Sequence, residues 1–379
     1  MDFALSQEQQ AIREMALGFA LERIGPFATE WENAGTIPRD VLADIGSLGL
    51  GGICVSEAFG GSGLTRLDAT LVFEALSQAC PSVAAFVSIH NMCAWMIDRY
   101  GSDALKAQLL PDLCSMRKIA SYCLTEPGSG SDAAALRTRA TRSGTGYLLD
   151  GTKAFISGGN YSDLYIVMCR TGGAGAKGIS AVVVSSPSPG LSFGAFERKM
   201  GWKAQPTAQV QFDKCPVEGA NLIGEEGKGF TYAMAGLDGG RLNIAACALG
   251  GAQAALDKAV VYMQERTAFG APLADFQALQ FKVADMETEL QAARTFLYQA
   301  AWKLDNQTPD AGKFCAMAKR LVTDTAFDVA NSALQLHGGY GYLVDYGIEK
   351  IVRDLRVHQI LEGTNEIMRV IIARHMFAK

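Results

Sequence analysis

The sequence lacks the patterns that hold a metal ion or a disulfide framework. Its nine cysteines include no CxxC pair, and none of its four histidines lies at ligand spacing from another histidine or from a cysteine pair. Structural zinc sites need closely spaced Cys and His ligands, and small secreted proteins space their cysteines as a disulfide framework. We therefore predict no metal site, and reduced, mostly buried thiols in a reducing compartment.

The sequence also has no excess of positive charge and no long apolar run. It has 34 Lys and Arg against 39 Asp and Glu, a net charge of −5, so we predict no nucleic-acid partner. The longest apolar stretch, 83–97, contains Ser88, His90 and Asn91 and is shorter than the roughly 20 residues that cross a bilayer, so we predict no membrane association. The start shows no basic segment followed by an apolar one. We expect a cytoplasmic bacterial protein, or a mitochondrial matrix protein if the chain is a mature eukaryotic form.

Three regions of different pattern follow one another along the 379 residues, which exceed the length of one ordinary core. Residues 1–115 carry helical periods, beginning with a capping box at Ser6 and Gln9. Residues 116–228 carry short β-rich runs separated by Gly, Pro and Ser clusters, and residues 229–379 return to a helical period. We predict an α+β protein with a helical domain, a small β-domain and a helical bundle. The predicted strands are 147–149, 153–157, 164–170, 179–186 and 208–212.

Three short segments carry residues suited to binding and chemistry. In residues 353–366, Glu362 follows two apolar residues and precedes Gly363. Burial would raise the pKa of this carboxyl towards that of a proton-transfer base, and glycine lets a flat ligand approach the backbone; alone, the segment is more typical of a helix N-cap. Residues 122–132 form a tight turn that exposes N–H groups and hydroxyls, as an ordinary strand-ending turn also would. Residues 335–342 are glycine-rich, which is equally typical of a helix C-cap and loop.

Together, in this order and spacing, the three segments resemble the acyl-CoA dehydrogenase flavoprotein family over essentially the whole chain. The resemblance implies an N-terminal helical domain, a middle β-barrel or sandwich domain and a C-terminal four-helix bundle, with the active site between the last two. It implies FAD as the cofactor and an acyl-CoA as the substrate, which loses an α-proton to a base and a β-hydride to flavin N5. It also implies a homotetramer that passes its electrons to an electron-transferring flavoprotein.

Within this resemblance, Glu362 is the catalytic base and its own backbone N–H polarises the thioester carbonyl. Isovaleryl-type and long-chain members of the family place the base on a bundle helix, immediately before an arginine. The corresponding position here is Gly240, before Arg241, so the alternative base is absent. A glycine at this position also leaves room for a branched acyl group.

The resemblance assigns the flavin ring to two strands. Thr125 donates a hydrogen bond to the ring, Phe155 packs on it, and Ser157 reaches its N5 side. The family more often has Trp and Thr at the last two positions, and Phe155 taken alone could be β-domain core. Gly363 and three further residues match positions that hold the pantetheine and thioester end of CoA: Ser131, Asp238 and Arg241.

The resemblance places the nucleotide half of FAD at a subunit boundary. Arg266 matches an arginine that crosses to a partner's pyrophosphate, a task suited to a planar guanidinium, although a solvated helix-end arginine is the alternative. Glu366 stands where the family more often has glutamine. The complete set of implied cofactor residues is Tyr122, Leu124, Thr125, Phe155, Ser157, Arg266, Phe269, Gln277, Gln335, Gly338, Gly339, Thr364 and Glu366.

Several stretches, 88–98, 167–173 and 237–245, are similar to the branch of the family that oxidises isobutyryl-CoA. The resemblance therefore implies conversion of isobutyryl-CoA to methacrylyl-CoA in valine catabolism. A short-chain or 2-methylbutyryl-CoA dehydrogenase and a related flavoprotein oxidase stay open. One methylene in an apolar pocket discriminates by only about 1–3 kcal/mol, and oxygen reactivity depends on pocket geometry.

Overall fold

Helices form the first part of the chain in the computed structural model, which describes residues 4–377. They are α1 (Gln7–Phe19), α2 (Ala28–Ala34), α3 (Arg39–Ser47), α4 (Arg66–Ala79), α5 (Pro81–Tyr100) and α6 (Asp103–Cys114). The predicted capping box is confirmed: the Ser6 hydroxyl accepts from the Gln9 N–H, and the Gln9 side chain accepts from the Ser6 N–H. α5 is buried along most of its length, as its apolar sequence requires.

One eight-stranded mixed sheet follows. Its strands are β1 (Ala120–Cys123), β2 (Arg139–Ser143), β3 (Gly146–Ser157), β4 (Leu164–Arg170), β5 (Ile179–Ser185), β6 (Leu191–Phe193), β7 (Thr207–Val217) and β8 (Leu222–Ile223). They pair in the order β6-β7-β3-β2-β4-β5-β8, and β1 adds to β4 in parallel. The predicted strand 164–170 coincides with β4. The predicted strands 147–149 and 153–157 are the two ends of one strand, β3, whose pairing with β7 shifts register near Gly151.

The sheet is covered on both faces at its centre, which explains the continuous apolar sequence of β4. Ile166 and Met168 join a cluster of side chains from α5, α6 and α7. Tyr165, Val167 and Cys169 point the other way, into the interior of the β-domain. Alternate side chains of a strand leave opposite faces, so β4 connects the helical layer to the β-domain core.

Long helices build the last part of the chain. They are α7 (Gly229–Glu265), α8 (Gln277–Asp305), α9 (Ala311–Leu336), α10 (Ile348–Arg356) and α11 (Asn365–Phe377), with a small hairpin, β9 (Thr267–Ala268) and β10 (Ala271–Pro272), before α8. α7, α8 and α9 pack side by side, α4 also packs on α7, and α11 packs on α9. The helical, β and helical order and the fold class are confirmed. Residues 1–3 and 378–379, which the predicted terminal domains include, lie outside the described residues.

α7 is, among residues 4–377, the one helix long and apolar enough to cross a membrane by length and composition alone. In its most apolar window, 67% is buried inside the protein. Its length and composition therefore agree with its position as the central core helix of the bundle.

A loop of the β-domain is bonded to the segment that carries Glu362. The Trp202 N–H donates to Asp354 Oδ1 (2.6 Å), and the Trp202 indole N–H donates to His358 Nε2 (3.2 Å). Trp202 also packs in a small apolar cluster with Ala85, Ile244 and the partly buried Leu361. The residue directly before Glu362 is thus packed against α5, α7 and the β-domain at once.

Candidate active site

Glu362 lies in a backbone turn that few side chains adopt. Its φ is +54° and that of Gly363 is +92°, so a non-glycine residue occupies the left-handed region at some energetic cost. Two cations bond to the successive carbonyls of this turn. Arg241 Nε donates to the Glu362 carbonyl (3.3 Å), and Lys319 Nζ donates to the Gly363 carbonyl (2.9 Å).

The Glu362 carboxyl is the unusual acid of this region. The residue as a whole is partly exposed, but Oε2 is buried and has no hydrogen-bond partner among the described residues. Burial raises the pKa of this carboxyl to about 7, against the opposing effects of Arg241 and Lys319. A buried carboxylate without a partner and with a near-neutral pKa is suited to receive a proton.

Two glycines of α7 let this carboxyl and two methionine side chains lie close against the helix. A Cβ at Gly240 would lie 2.5 Å from Glu362 Oε2 and 3.1 Å from Met92 Sδ, and one at Gly236 would lie 2.9 Å from Met96 Sδ. Gly236 and Gly240 are one helical turn apart, as are Met92 and Met96 on α5. A side chain at 240 therefore cannot coexist with Glu362 in its present rotamer, and the glycines and methionines form an apolar region beside the carboxyl.

Tyr122 faces this apolar region. Its hydroxyl is buried and has no partner among residues 4–377, and burial raises the pKa of the phenol, with smaller contributions from Cys93 and Glu362. The sequence indicated only a cofactor contact for Tyr122. The structure places its side chain on the Glu362 side of strand β1, which the strand alternation alone could not reveal.

The residues predicted to bind substrate divide into two groups. Asp238 and Arg241 form an ion pair of 2.7 Å one turn apart on α7, and burial raises the pKa of Asp238 although Arg241 lowers it. Gly363 belongs to the same turn as Glu362, so these three residues surround the candidate base. Ser131 is exposed in the loop after β1, and within residues 4–377 it forms no hydrogen bond or ion pair with them.

The two predicted flavin strands are neighbours. The Ala154 N–H donates to the Thr125 carbonyl (2.9 Å), and the Ser121 hydroxyl donates to the Ser157 carbonyl (2.5 Å). Phe155 has a φ of +57° and is 69% exposed, so the alternative that it is β-domain core is wrong. An exposed ring beside a turn is suited to stack on a flat ligand.

A buried ion pair stabilises the backbone next to this turn, and no sequence pattern indicated it. Lys153 is fully buried, and its Nζ donates to Glu126 Oε1 (2.9 Å) and to the Leu124 carbonyl (3.0 Å). Glu126 in turn accepts the backbone N–H groups of Arg137 and Thr138. The Leu124 side chain lies in the core, so any cofactor contact by Leu124 must use its backbone.

Three of the residues predicted for the nucleotide end meet at a surface pocket of about 410 Å³. Arg266 lines it with Gly338 and Gly339, and its guanidinium lies 5.3 Å from the centre of the Tyr340 ring. A Cβ at either glycine would meet nothing within 4 Å, so the floor is open. Three predicted residues, Phe269, Gln277 and Gln335, are exposed outside the pocket lining.

The helix-cap interpretation of the Glu362 segment applies to its neighbour instead. α11 begins at Asn365, and the Thr364 hydroxyl accepts from the Ile367 N–H (3.3 Å). Thr364 is therefore the cap, and Glu362 is left outside the helix. Glu366 is exposed in the first turn of α11. No group of three or more His, Cys, Asp or Glu positioned for a metal ion occurs within residues 4–377.

Comparison with known proteins gives a consistent result over the whole length. Three family models, the N-terminal, middle and C-terminal domains of acyl-CoA dehydrogenase, match residues 6–117, 121–215 and 227–377. Mitochondrial isobutyryl-CoA dehydrogenase of Bos taurus is 52% identical over 372 residues, which cover 98% of this chain and 89% of that protein. Butyryl-CoA dehydrogenase of Megasphaera elsdenii superimposes with a TM-score of 0.96 at 38% identity, covering 99% and 100%. A chain from a structure described as the electron transferring flavoprotein of Acidaminococcus fermentans gives 0.97 at 40% identity over the whole of both chains.

Proposed function

The chain belongs to the acyl-CoA dehydrogenase family, an FAD-dependent family, and on this basis we propose that it oxidises isobutyryl-CoA to methacrylyl-CoA with Glu362 as the base. The observation that carries the proposal is the unpaired Glu362 Oε2, buried in front of Gly240. The relative named isobutyryl-CoA dehydrogenase supports the choice of substrate.

In this proposal the chain's residues divide the reaction between them. Glu362 Oε2 takes the α-proton, and the burial that raises the pKa of the carboxyl matches it to a weak carbon acid near neutral pH. The Glu362 N–H lies against the thioester oxygen and stabilises the enolate charge that develops there. Arg241 and Lys319 hold the turn that carries both groups. FAD, when bound, supplies the hydride acceptor that no side chain can provide.

The residues present fit a flavin dinucleotide. The exposed Phe155 ring lies beside the Thr125 turn, where an isoalloxazine ring can stack and accept hydrogen bonds. Arg266 adds a cation to an open pocket floored by two glycines, as a pyrophosphate requires. We propose that the first place binds the flavin ring of this chain's FAD and that the second binds the pyrophosphate of a partner's FAD.

We propose that a short branched acyl chain lies in an acyl space beside Gly236 and Gly240. The two glycines contribute no side chain there, and Met92 and Met96 of α5 lie close enough to meet a Cβ at either position. Methionine adapts to irregular shapes, so butyryl-CoA and 2-methylbutyryl-CoA are the competing substrates. We propose valine breakdown as the context, in a bacterial cytoplasm or a mitochondrial matrix.

Two partners complete the proposal. Phe269 is 98% exposed and Tyr342 84% exposed near the Arg266 pocket, and a homotetramer would cover such aromatic surface while each chain lends Arg266 to a neighbour's cofactor. We propose an electron-transferring flavoprotein as the acceptor. The similarity to a chain from a structure with that description supports this choice.

A panel of acyl-CoA thioesters tests the substrate. Isobutyryl-, butyryl-, 2-methylbutyryl- and isovaleryl-CoA are compared for kcat/KM with a dye and with an electron-transferring flavoprotein as acceptors, and peroxide is measured in parallel. We expect isobutyryl-CoA to give the highest kcat/KM and peroxide to stay minor. A competitor preferred by more than about tenfold would overturn the substrate, and stoichiometric peroxide would identify an oxidase. Gly240→Ala should lower kcat/KM for every thioester, because its Cβ would lie 2.5 Å from Glu362 Oε2 and displace the base.

A further inference from the structure

Lys319 is a buried cation next to the candidate base. It lies on α9 with 0% of its surface exposed. Its Nζ donates to the Gly363 carbonyl and to Asn365 Oδ1, both at 2.9 Å. Lysine is almost never fully buried without a carboxylate partner. Two neutral oxygens do not balance the charge of a buried ammonium, so the burial of Lys319 needs a further explanation.

The other cation of the turn, Arg241, is compensated. Its Nη1 lies 2.7 Å from Asp238 Oδ1, so much of its charge is balanced by that carboxylate. Lys319 forms no ion pair with any carboxylate of the described residues. The acidic groups that act on it are Glu362, Asp324 and Glu366, and of these Glu362 acts most strongly and is the buried one.

From this arrangement we propose that Lys319 is a positioning residue that holds the Glu362–Gly363 turn and supplies the uncompensated positive charge that keeps the Glu362 carboxylate ionised near neutral pH. This step rests on the proposed role of Glu362. A buried ammonium and a buried carboxylate each reduce the cost of the other. The hydrogen bond from Lys319 Nζ to the Gly363 carbonyl fixes the position of the ammonium relative to the Glu362 carboxyl.

The charges around both groups agree with this role. The groups that face Glu362 are Arg241 and Cys247 from α7, Lys319 from α9 and Tyr122 from β1. Those that face Lys319 also include His358 from the segment before Glu362. Burial lowers the pKa of Lys319 to about 8, with Glu362 opposing, so Lys319 is still charged where Glu362, with a pKa of about 7, ionises. The Cys247 thiol and the Tyr122 phenol stay neutral near pH 7, because burial raises the pKa of each.

Lys319→Met removes the charge and keeps the length of the side chain. Losing a nearby opposite charge raises a carboxyl pKa by about 1 unit. The acid limb of flavin reduction, the pH below which its rate falls, should therefore move from about pH 7 to about pH 8. At pH 7 the ionised fraction falls from about one half to about one tenth, a loss of roughly fivefold in rate that recovers at high pH. Lys319→Arg keeps the charge and should keep the acid limb. Thr323→Val is the control: it removes the hydroxyl that accepts from Asn365 without changing charge, and should leave the limb in place.

Infrared titration of the Glu362 carboxyl, assigned by difference from Glu362→Gln holoenzyme, gives a second readout that needs no substrate. The carboxyl band of Lys319→Met should titrate about 1 unit higher than that of wild type, whichever acyl-CoA the enzyme prefers. A Lys319→Met protein that folds and titrates like wild type would overturn the proposal, as would a shift of the same size in Thr323→Val. If Lys319→Met does not fold, Lys319→Gln, which can still donate to Gly363, is measured in its place. Failure of both to fold would reduce Lys319 to a structural residue.

Discussion

Replacing Glu362 by Gln tests the base with the smallest change of shape. The amide keeps the side-chain volume but has no basic oxygen to accept the α-proton. General-base catalysis contributes about 10²–10⁴-fold, so flavin reduction by isobutyryl-CoA should slow by at least that factor, which corresponds to about 3–5 kcal/mol of activation free energy. Anaerobic stopped-flow absorbance of the flavin measures the step directly. Unchanged FAD content and unchanged binding of the acyl-CoA are the controls, and near wild-type reduction in the variant would place the base elsewhere.

Moving the base to position 240 sharpens the same test. A Cβ at Gly240 would stand 2.5 Å from Glu362 Oε2, so an acid at 240 requires a small residue at 362. Glu362→Gly with Gly240→Glu should therefore recover part of the lost rate. Gly240→Glu in the Glu362→Gln background should recover none, because the amide occupies the required space. The reverse order of activities would refute the geometry described for the acyl space.

Three further predictions follow from charge and burial. The pKa of the Glu362 carboxyl is raised from 4.5 to about 7, so its ionisation opposes folding as pH rises through that window. Glu362→Gln should therefore stabilise the fold at pH 8 by up to about 3 kcal/mol and hardly at pH 4. Thermal unfolding at the two pH values measures the difference, and equal shifts in unfolding temperature would contradict the linkage. Lys153→Met leaves Glu126 as an unpaired carboxylate and should cost about 3–5 kcal/mol of unfolding free energy, read from denaturant titration, whereas Lys153→Met with Glu126→Gln should recover part of it. Arg266→Ala removes a charged hydrogen-bond donor worth about 1.5–3 kcal/mol and should weaken FAD binding by roughly 10–100-fold. Arg266→Lys should be intermediate. Full retention of FAD by Arg266→Ala on dilution would show that Arg266 is only a solvated helix-end residue.

Local patterns of the sequence were sufficient for some of these features. β4 was predicted at its observed bounds, because a strand covered on both faces is apolar at nearly every position. Glu362 could be singled out because its neighbours Leu361 and Gly363 are adjacent in sequence. The division of β3 into two strands was wrong because Gly151 shifts the register without ending the strand.

Other features depend on partners that are distant in sequence. Lys319 reaches a carbonyl 44 positions away, and Lys153 meets an acid 27 positions away; in the sequence each is a lysine of an ordinary helix or strand. The 156-residue separation of Trp202 and His358 likewise gives no local signal. The orientation of Tyr122 required the pairing of β1 with β4, which propensity alone does not provide.

The bonds from Trp202 to Asp354 and His358 set a rule for building chimaeras between related enzymes. A β-domain transplanted by itself would bring its own residue 202 to a foreign segment before Glu362, and a mismatch there would move the base without changing any residue of the active site. The β-domain loop and residues 354–358 should therefore be exchanged as one unit. These two segments are far apart in sequence but must be exchanged together. A chimaera made with a single crossover will take them from different parents unless the crossover lies before or after both.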